Sequence, residues 1–311
     1  MQVRKKKKIL FTGGGGAGNE AIWRILNSKY DLFFADCNID NIDPVIPSDR
    51  RVEIPMANAP DFLPRLTILS RELGLDFLVP GVDEELISLS KNKEQFNCQV
   101  FTPDDSFVCS MLDKYSCANA IKCVGLTAPQ TFYVNDSHKL EFPMIIKPKS
   151  GRGSRGVMTI GSKEELAAYR VFHKDTDKNL IVQELIKGQE YTILVSANNQ
   201  QELNCIIPIK VAQKKGITIN ASLEMNETII DYVKKFHDNF PTSCIYNIQC
   251  ILTESGDVYP FEVNPRISTT FCMSLAAGFD PFEQFYQSVL EMWEPEELIY
   301  LIRSWKNNFS N

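Results

Sequence analysis

The chain has 311 residues, 44% of them hydrophobic and 23% charged, which suffices for a real core and for two domains or one domain with an inserted lid. A formal net charge of -6 supplies no basic excess to displace counterions from nucleic acid, and no apolar run approaches the roughly 20 residues that span a bilayer. Nine cysteines without a CxxC pair and three scattered histidines, His138, His173 and His237, argue against a zinc site or a disulfide framework and point to a reducing, cytoplasmic setting. The basic start, Arg4 to Lys8, reads as a solvated tail before a first strand.

Residues 9–12 are a short apolar strand, and Gly13 to Gly18 then open a helix with apolar Ala21, Ile22, Ile25 and Leu26. This satisfies G-x-G-x-x-G between a strand and a helix, and Asp36 follows a second apolar strand at residues 32–35. Taken alone, the pattern predicts an NAD-binding domain and an oxidoreductase. The other reading is that the glycines only permit a tight turn and close helix packing. Strand signals at 51–54, 77–80 and 99–102 alternate with helical periods at 60–73 and 83–93, as in a parallel sheet. Asp83-Glu84-Glu85 starts the second of these helices, where acids favour the helix dipole; a contact to a substrate amine is the alternative role.

Residues 112–123 read as a helix, with Lys114 directly after Asp113 and a break at Gly125 and Pro129. The run at 142–148, FPMIIKP, puts Lys147 at the end of an apolar strand as a point charge for a phosphate. Gly151, Gly153 and Gly156 form a second G-x-G-x-x-G, with Ser154 and Arg155 inside it, but a strand at 157–160 follows instead of a helix. Such a strand–loop–strand flap can close backbone N–H groups over phosphates; it is no Walker A motif, because Lys-Ser/Thr does not follow the last glycine. A helix with a Ser162-to-Glu165 capping box follows at 162–172, then strands at 180–186, 191–197 and 203–209, with Lys210 ending the last. A helix is expected at 223–239.

Residues 245–253 and 258–263 are β-branched and aromatic runs around the turn Glu254-Ser255-Gly256-Asp257, the signature of a hairpin. Pairing Thr253 with Val258 sets Gln249 opposite Glu262 and Asn247 opposite Asn264, all on one face, with directly opposed Cβ atoms roughly 4.5–5.5 Å apart. Amide and carboxylate oxygens without Cys or His suit Mg²⁺ shared with nucleotide phosphates, and Arg266 adds a fixed cation nearby. An ordinary hairpin with a wet polar face is the other reading of this stretch. Helical periods are expected again at 281–292 and through the tail, 294–311.

The run Gln249…Phe261-Glu262-Val263-Asn264-Pro265-Arg266-Ile267-Ser268, continued by Leu275-Ala276-Ala277-Gly278-Phe279-Asp280-Pro281, resembles the metal-binding segment of ATP-grasp enzymes, in particular the synthetase halves of the carbamoyl phosphate synthetase large subunit. The resemblance extends from the first Gly-rich turn to about Leu290 and implies a mixed α/β and α+β fold. A Rossmann-like pre-ATP-grasp domain would occupy residues 1–112. A small ATP-grasp subdomain with a Gly-rich lid would occupy 113–190, and a large C-terminal lobe with the metal hairpin 191–311.

It implies ATP and magnesium, or manganese in its place, with Gln249, Glu262 and Asn264 as metal ligands and Arg266 on the transferred phosphate. It further implies Lys114 and Lys147 on phosphates and Gly151, Gly153, Ser154, Arg155 and Gly156 as the lid. The main chain at Glu184 and Leu185 would meet adenine, and Glu190 the ribose; Lys210, and less so Lys214, would lie near the phosphoryl group. The implied activity is that of a ligase, which turns a small-molecule carboxylate into an acyl phosphate for attack by an amine. Neither nucleic acid nor membrane is an implied partner, and a homodimer is compatible. The chain carries one synthetase half and no glutaminase segment, which sets it apart from carbamoyl phosphate synthesis. An NAD-dependent oxidoreductase and a nucleotide-binding protein without turnover are the competing readings.

Overall fold

In the computed structural model, which describes residues 5–151, 153–173 and 177–304, the apolar runs assemble into three sheets. The first segment contributes β1 (Lys8–Thr12), α1 (Asn19–Leu26), β2 (Asp31–Asp36), β3 (Arg51–Glu53), α2 (Phe62–Leu73), β4 (Phe77–Val79), α3 (Asp83–Lys91) and β5 (Gln99–Val100). Their strands form a parallel sheet in the order β3-β2-β1-β4-β5. The middle strand β1 is covered on both faces, so Ile9, Leu10 and Phe11 are all apolar and fully buried instead of alternating. The order reverses between β1 and β4, and the crevice at their carboxyl ends is where such sheets place ligands. Gly81 follows β4 there; a Cβ on it would lie 2.2 Å from the Thr12 carbonyl oxygen, so only glycine lets the two strand ends meet.

After α4 (Asp105–Met111) and α5 (Lys114–Cys123), the strands β6 (Thr131–Tyr133), β7 (Met144–Pro148), β8 (Met158–Ile160) and β9 (Leu180–Glu184) form an antiparallel sheet in the order β6-β9-β7-β8. Helix α6 (Lys163–Phe172) packs Leu166 and Tyr169 onto Met144, Ile146, Ile160 and Val182 of this sheet. The third sheet holds β10 (Gln189–Ala197), β11 (Leu203–Lys215), β12 (Ile217–Leu223), β13 (Cys244–Leu252), β14 (Val258–Asn264) and β15 (Tyr300–Ile302), ordered β14-β13-β10-β11-β12-β15. Its strands alternate. Ile193, Val195 and Ile206 pack with α7 (Glu227–Asn239) and Phe107, whereas Leu194, Ile207 and Ile209 pack with Phe11, Phe34 and Phe77 of the first sheet. Helices α8 (Phe271–Ala276) and α9 (Pro281–Gln284) fill that second layer with Phe271 and Phe282, so the first and third sheets share one core.

Two helical expectations are corrected. The helix expected at 281–292 stops at Gln284, because the carbonyls of Phe285 and Gln287 are taken by the Asn199 N–H and the Asn198 side chain while Phe285 turns into the aromatic core. In the tail, residues 300–302 form an edge strand on β12 instead of a helix. Residues 305–311 of that expectation, and Arg152 of the second Gly-rich motif, lie outside the described residues. Strand β11 also runs past the expected end to Lys215, and β12 follows it directly.

Candidate functional site

The β13–β14 hairpin sets Gln249 opposite Glu262 and Asn247 opposite Asn264. The Thr253–Val258 pairing from which this was read is incorrect: Leu252 pairs with Val258, and the Thr253 N–H donates to Asp257. One extra residue in β14, Phe261, bulges between the Glu262 and Pro260 pairs and restores the register at the polar positions. Asn247 is 1% exposed and anchors the following loop through its amide, which donates to the Arg266 carbonyl at 2.9 Å. Its Oδ1 is buried without a hydrogen-bond partner, an acceptor left for something the protein itself does not supply.

Three lysines converge on this hairpin. Lys114, at the start of α5 and 7% exposed, donates to the Gly151 carbonyl at 2.8 Å and lies 3.4 Å from Glu262 Oε1. Lys147, 4% exposed, donates to Gln183 Oε1 at 2.8 Å and to the Phe261 carbonyl at 3.1 Å, with its ammonium 5.5 Å from the Phe261 ring. Burial pushes its pKa down from 10.5 to about 8, against the opposing charge of Glu262. Lys214 bridges Glu190 Oε1 at 2.5 Å and Gln249 Oε1 at 2.9 Å, with its ammonium 5.7 Å from the centroid of the Phe261 ring. Gln183, itself fixed by donating to the Thr131 hydroxyl, and Phe261 had no signal in the sequence; their roles follow from cross-strand neighbours.

Lys210 lies apart from these residues. It pairs with Glu224, which also accepts from Tyr191, and it lines neither cavity described below. Irregularities in the β11–β12 pairing between Val211 and Lys214 change which side chains face the site, so Lys214 enters it and Lys210 does not. Asp83, Glu84 and Glu85 all fall in the first turn of α3, where acids meet the helix dipole, but no side chain caps the helix; the Asp83 carboxylate accepts from Arg266 Nε at 2.5 Å, across two sheets. Neighbouring Glu85 accepts from the Thr12 hydroxyl.

Two cavities meet here. The smaller, about 300 Å³, is lined by Lys114, Lys147, Glu184, Leu185, Glu190 and Phe261 among others. The larger, about 800 Å³, extends to the first Gly-rich turn and is lined by Asn247, Gln249, Asn264, Arg266 and Glu84 among others. Gly153, Ser154, Arg155, Lys214 and Glu262 line both. The Gly-rich loop between β7 and β8 thus lies over the junction. Its Gly156 has φ +68°, and an added Cβ would lie 3.2 Å from Pro148 and 3.3 Å from the Tyr169 hydroxyl. Among the described residues no group of three or more His, Cys, Asp and Glu side chains could hold a metal. The donors present, one carboxylate with amide oxygens, fit a hard cation that takes its remaining ligands from phosphate or water.

The first Gly-rich turn satisfies itself. The N–H of Gly14 donates to Ala35, that of Gly15 to Asp36 Oδ2 at 2.9 Å, and that of Gly16 to Gly13. A pyrophosphate would need those donors, and a ribose would need the Asp36 carboxylate that is turned onto the loop. The fingerprint here serves the turn, and the NAD reading is not favoured.

Comparison with known proteins agrees with this geometry. The chain is 25% identical over 204 residues to the carbamoyl phosphate synthase large chain of Clostridium perfringens, covering 61% of this chain but only 17% of that one. It is 23% identical over 291 residues to D-alanine--D-alanine ligase of Bacillus anthracis, covering 89% and 93% of the two. Among solved structures, carboxyaminoimidazole ribonucleotide synthase of Aspergillus clavatus, complexed with ATP, superposes with a TM-score of 0.67 at 14% identity over 85% of this chain and 71% of that one. The pattern of the ATP-grasp domain matches residues 111–270, from the end of α4 through the Gly-rich loop and the polar hairpin, and the chain belongs to the ATP-grasp family.

Proposed function

We propose that the protein is an ATP- and magnesium-dependent ligase that activates a small carboxylate as an acyl phosphate and passes the acyl group to an amine. The observation that carries the reading is the shared wall: a nucleotide in the smaller cavity would project its phosphates past Gly153, Ser154, Arg155, Lys214 and Glu262 into the larger one. The resemblance of nearly full length to a D-alanine--D-alanine ligase supports the same reaction class.

In this reading the main chain at Glu184 and Leu185 meets adenine and Glu190 meets the ribose. Lys114 and Lys147 neutralise phosphate oxygens, and the Gly-rich loop with Ser154 and Arg155 covers the terminal one. Gln249, Glu262 and Asn264 would hold magnesium or manganese, which when bound offsets phosphate charge. Lys214 would leave Glu190 and Gln249 when nucleotide and metal claim them, and turn to the phosphate. A carboxylate oxygen of the acid attacks the terminal phosphorus as the bond to ADP breaks, with Arg266 on the moving phosphoryl oxygens. The amine then attacks the acyl carbon, inorganic phosphate leaves, and the amine gives up its proton.

Nine free cysteines, five of them buried, fit a reducing cytoplasm, and we expect a homodimer, which light scattering on the eluting species would read. Among the described residues no helix is long and apolar enough to cross a membrane. Thermal shift tests the nucleotide assignment. MgATP should raise the melting temperature and NAD should not; a response to NAD alone would overturn it.

A further inference from the structure

The last strand carries a cation that the proposed reaction does not use. Arg303, directly after β15, donates from Nε to the Thr218 carbonyl at 2.9 Å, from one terminal nitrogen to the Ala17 carbonyl at 2.5 Å, and from the other to the Thr269 carbonyl. The nitrogen bound to Thr269 also lies 4.0 Å from Cys272 Sγ. These acceptors belong to three elements far apart in sequence: the first Gly-rich turn, the start of β12, and the loop between β14 and α8. All three residues line the larger cavity, and none lines the smaller.

The guanidinium fork holds several acceptors at once in fixed directions, which an ammonium on a flexible stem does not. Among the described residues no carboxylate pairs with Arg303, and backbone carbonyls are its main polar partners. The turn and the loop are already in contact beside it, since a Cβ on Gly18 would lie 3.0 Å from the Thr269 oxygen. Thr269 also lies only three residues beyond Arg266. That loop is therefore pinned at both ends, by Asn247 at the Arg266 carbonyl and by Arg303 at the Thr269 carbonyl.

We propose that Arg303 is a positioning residue that holds three walls of the larger cavity in place around Arg266, and so aligns the acid with the phosphoryl group without contributing to nucleotide binding. This rests on the reading of the larger cavity as the acid side. Displacing a reacting group by about 1 Å costs on the order of 10²-fold in rate, so turnover should be far more sensitive to Arg303 than affinity.

The test compares the full chain with Arg303→Ala and Arg303→Lys in three measurements. The first is MgADP affinity by calorimetry. The second is hydroxamate formation from MgATP, hydroxylamine and the best acid in a panel of the proteinogenic amino acids and their D isomers. The third is backbone amide exchange. Arg303→Ala should keep MgADP affinity within about threefold and lose roughly 10²-fold in hydroxamate rate, with part of the rate restored by added ethylguanidinium and part by Arg303→Lys. Amide exchange should quicken at residues 15–19, 217–220 and 266–272 and not in β7 or β9. Unchanged turnover in Arg303→Ala, or parallel loss of MgADP affinity and turnover without rescue, would overturn the proposal. If the wild type forms no hydroxamate with any acid, the ligase reading fails by itself. The exchange pattern then decides whether Arg303 holds those walls, and uniform or absent change would refute it.

Discussion

Lys147 gives nucleotide binding a protonic signature that can be worked out in advance. Its ammonium is almost fully buried, and its pKa falls from 10.5 to about 8 chiefly through burial, with Glu262 opposing the fall and Lys114 and Lys214 adding to it. A drop of about 2.5 from the ordinary value is worth about 3 kcal/mol of preference for the neutral amine. Because the folded pKa is depressed, the folded chain binds fewer protons than the unfolded one between pH 8 and 10.5, so this group's penalty on folding is largest below pH 8 and fades as pH rises through that window. Phosphate oxygens arriving beside Lys147 restore the cation. Binding of MgADP should then take up a proton, little well below pH 8 and most of one well above it. Affinity should weaken about tenfold per pH unit above pH 8. Calorimetry in buffers of different ionisation enthalpy measures the uptake directly, and Lys147→Met should abolish it. No uptake by the wild type at pH 8, or the same uptake in Lys147→Met, would refute the reasoning.

Glu262→Gln and Arg266→Ala should fold and keep some nucleotide affinity while losing about 10²–10³-fold in turnover, since removal of a charge stabiliser of the transition state costs about 2.7–4 kcal/mol; steady-state ADP release reads both. Lys214→Met should depress turnover by at least tenfold, whereas Lys210→Met, which removes only the partner of Glu224 outside the cavities, should change it less than about twofold. Gly156→Val combines a strained φ of +68° with the nearby Pro148, and should slow turnover while the melting temperature moves by only a few degrees. Wild-type turnover in that variant would make the loop a bystander.

The parallel sheet was legible because β1 and β4 are unbroken apolar runs beside helices with a clear period, and the hairpin because its turn residues leave little choice. The polar register nevertheless does not follow from a Thr253–Val258 pair, which the structure lacks; a bulge at Phe261, which no local pattern announces, sets it. Lys210 and Lys214 illustrate a general limit: the irregularities within β11 decide which of them enters the cavity, and facing by a period of two cannot be counted across a bulge. The first Gly-rich turn satisfied every letter of a dinucleotide fingerprint, yet its N–H groups are consumed by Ala35, Asp36 and Gly13. The sequence reports the need for a tight turn, and only the hydrogen bonds say whether donors remain for a ligand. Asp83 could not be assigned because its partner, Arg266, lies 183 residues away. The tail misled because a three-residue edge strand is too short to display a period.

In the proposed reaction a carboxylate becomes an acyl phosphate in the larger cavity. Trapping with hydroxylamine measures it most directly: with MgATP, the cognate acid and no amine, the wild type should yield a hydroxamate in step with ADP, and Arg266→Ala should not. ADP release that depends on the acid but never yields a trappable acyl group would contradict the account, and would assign the phosphoryl group to another acceptor.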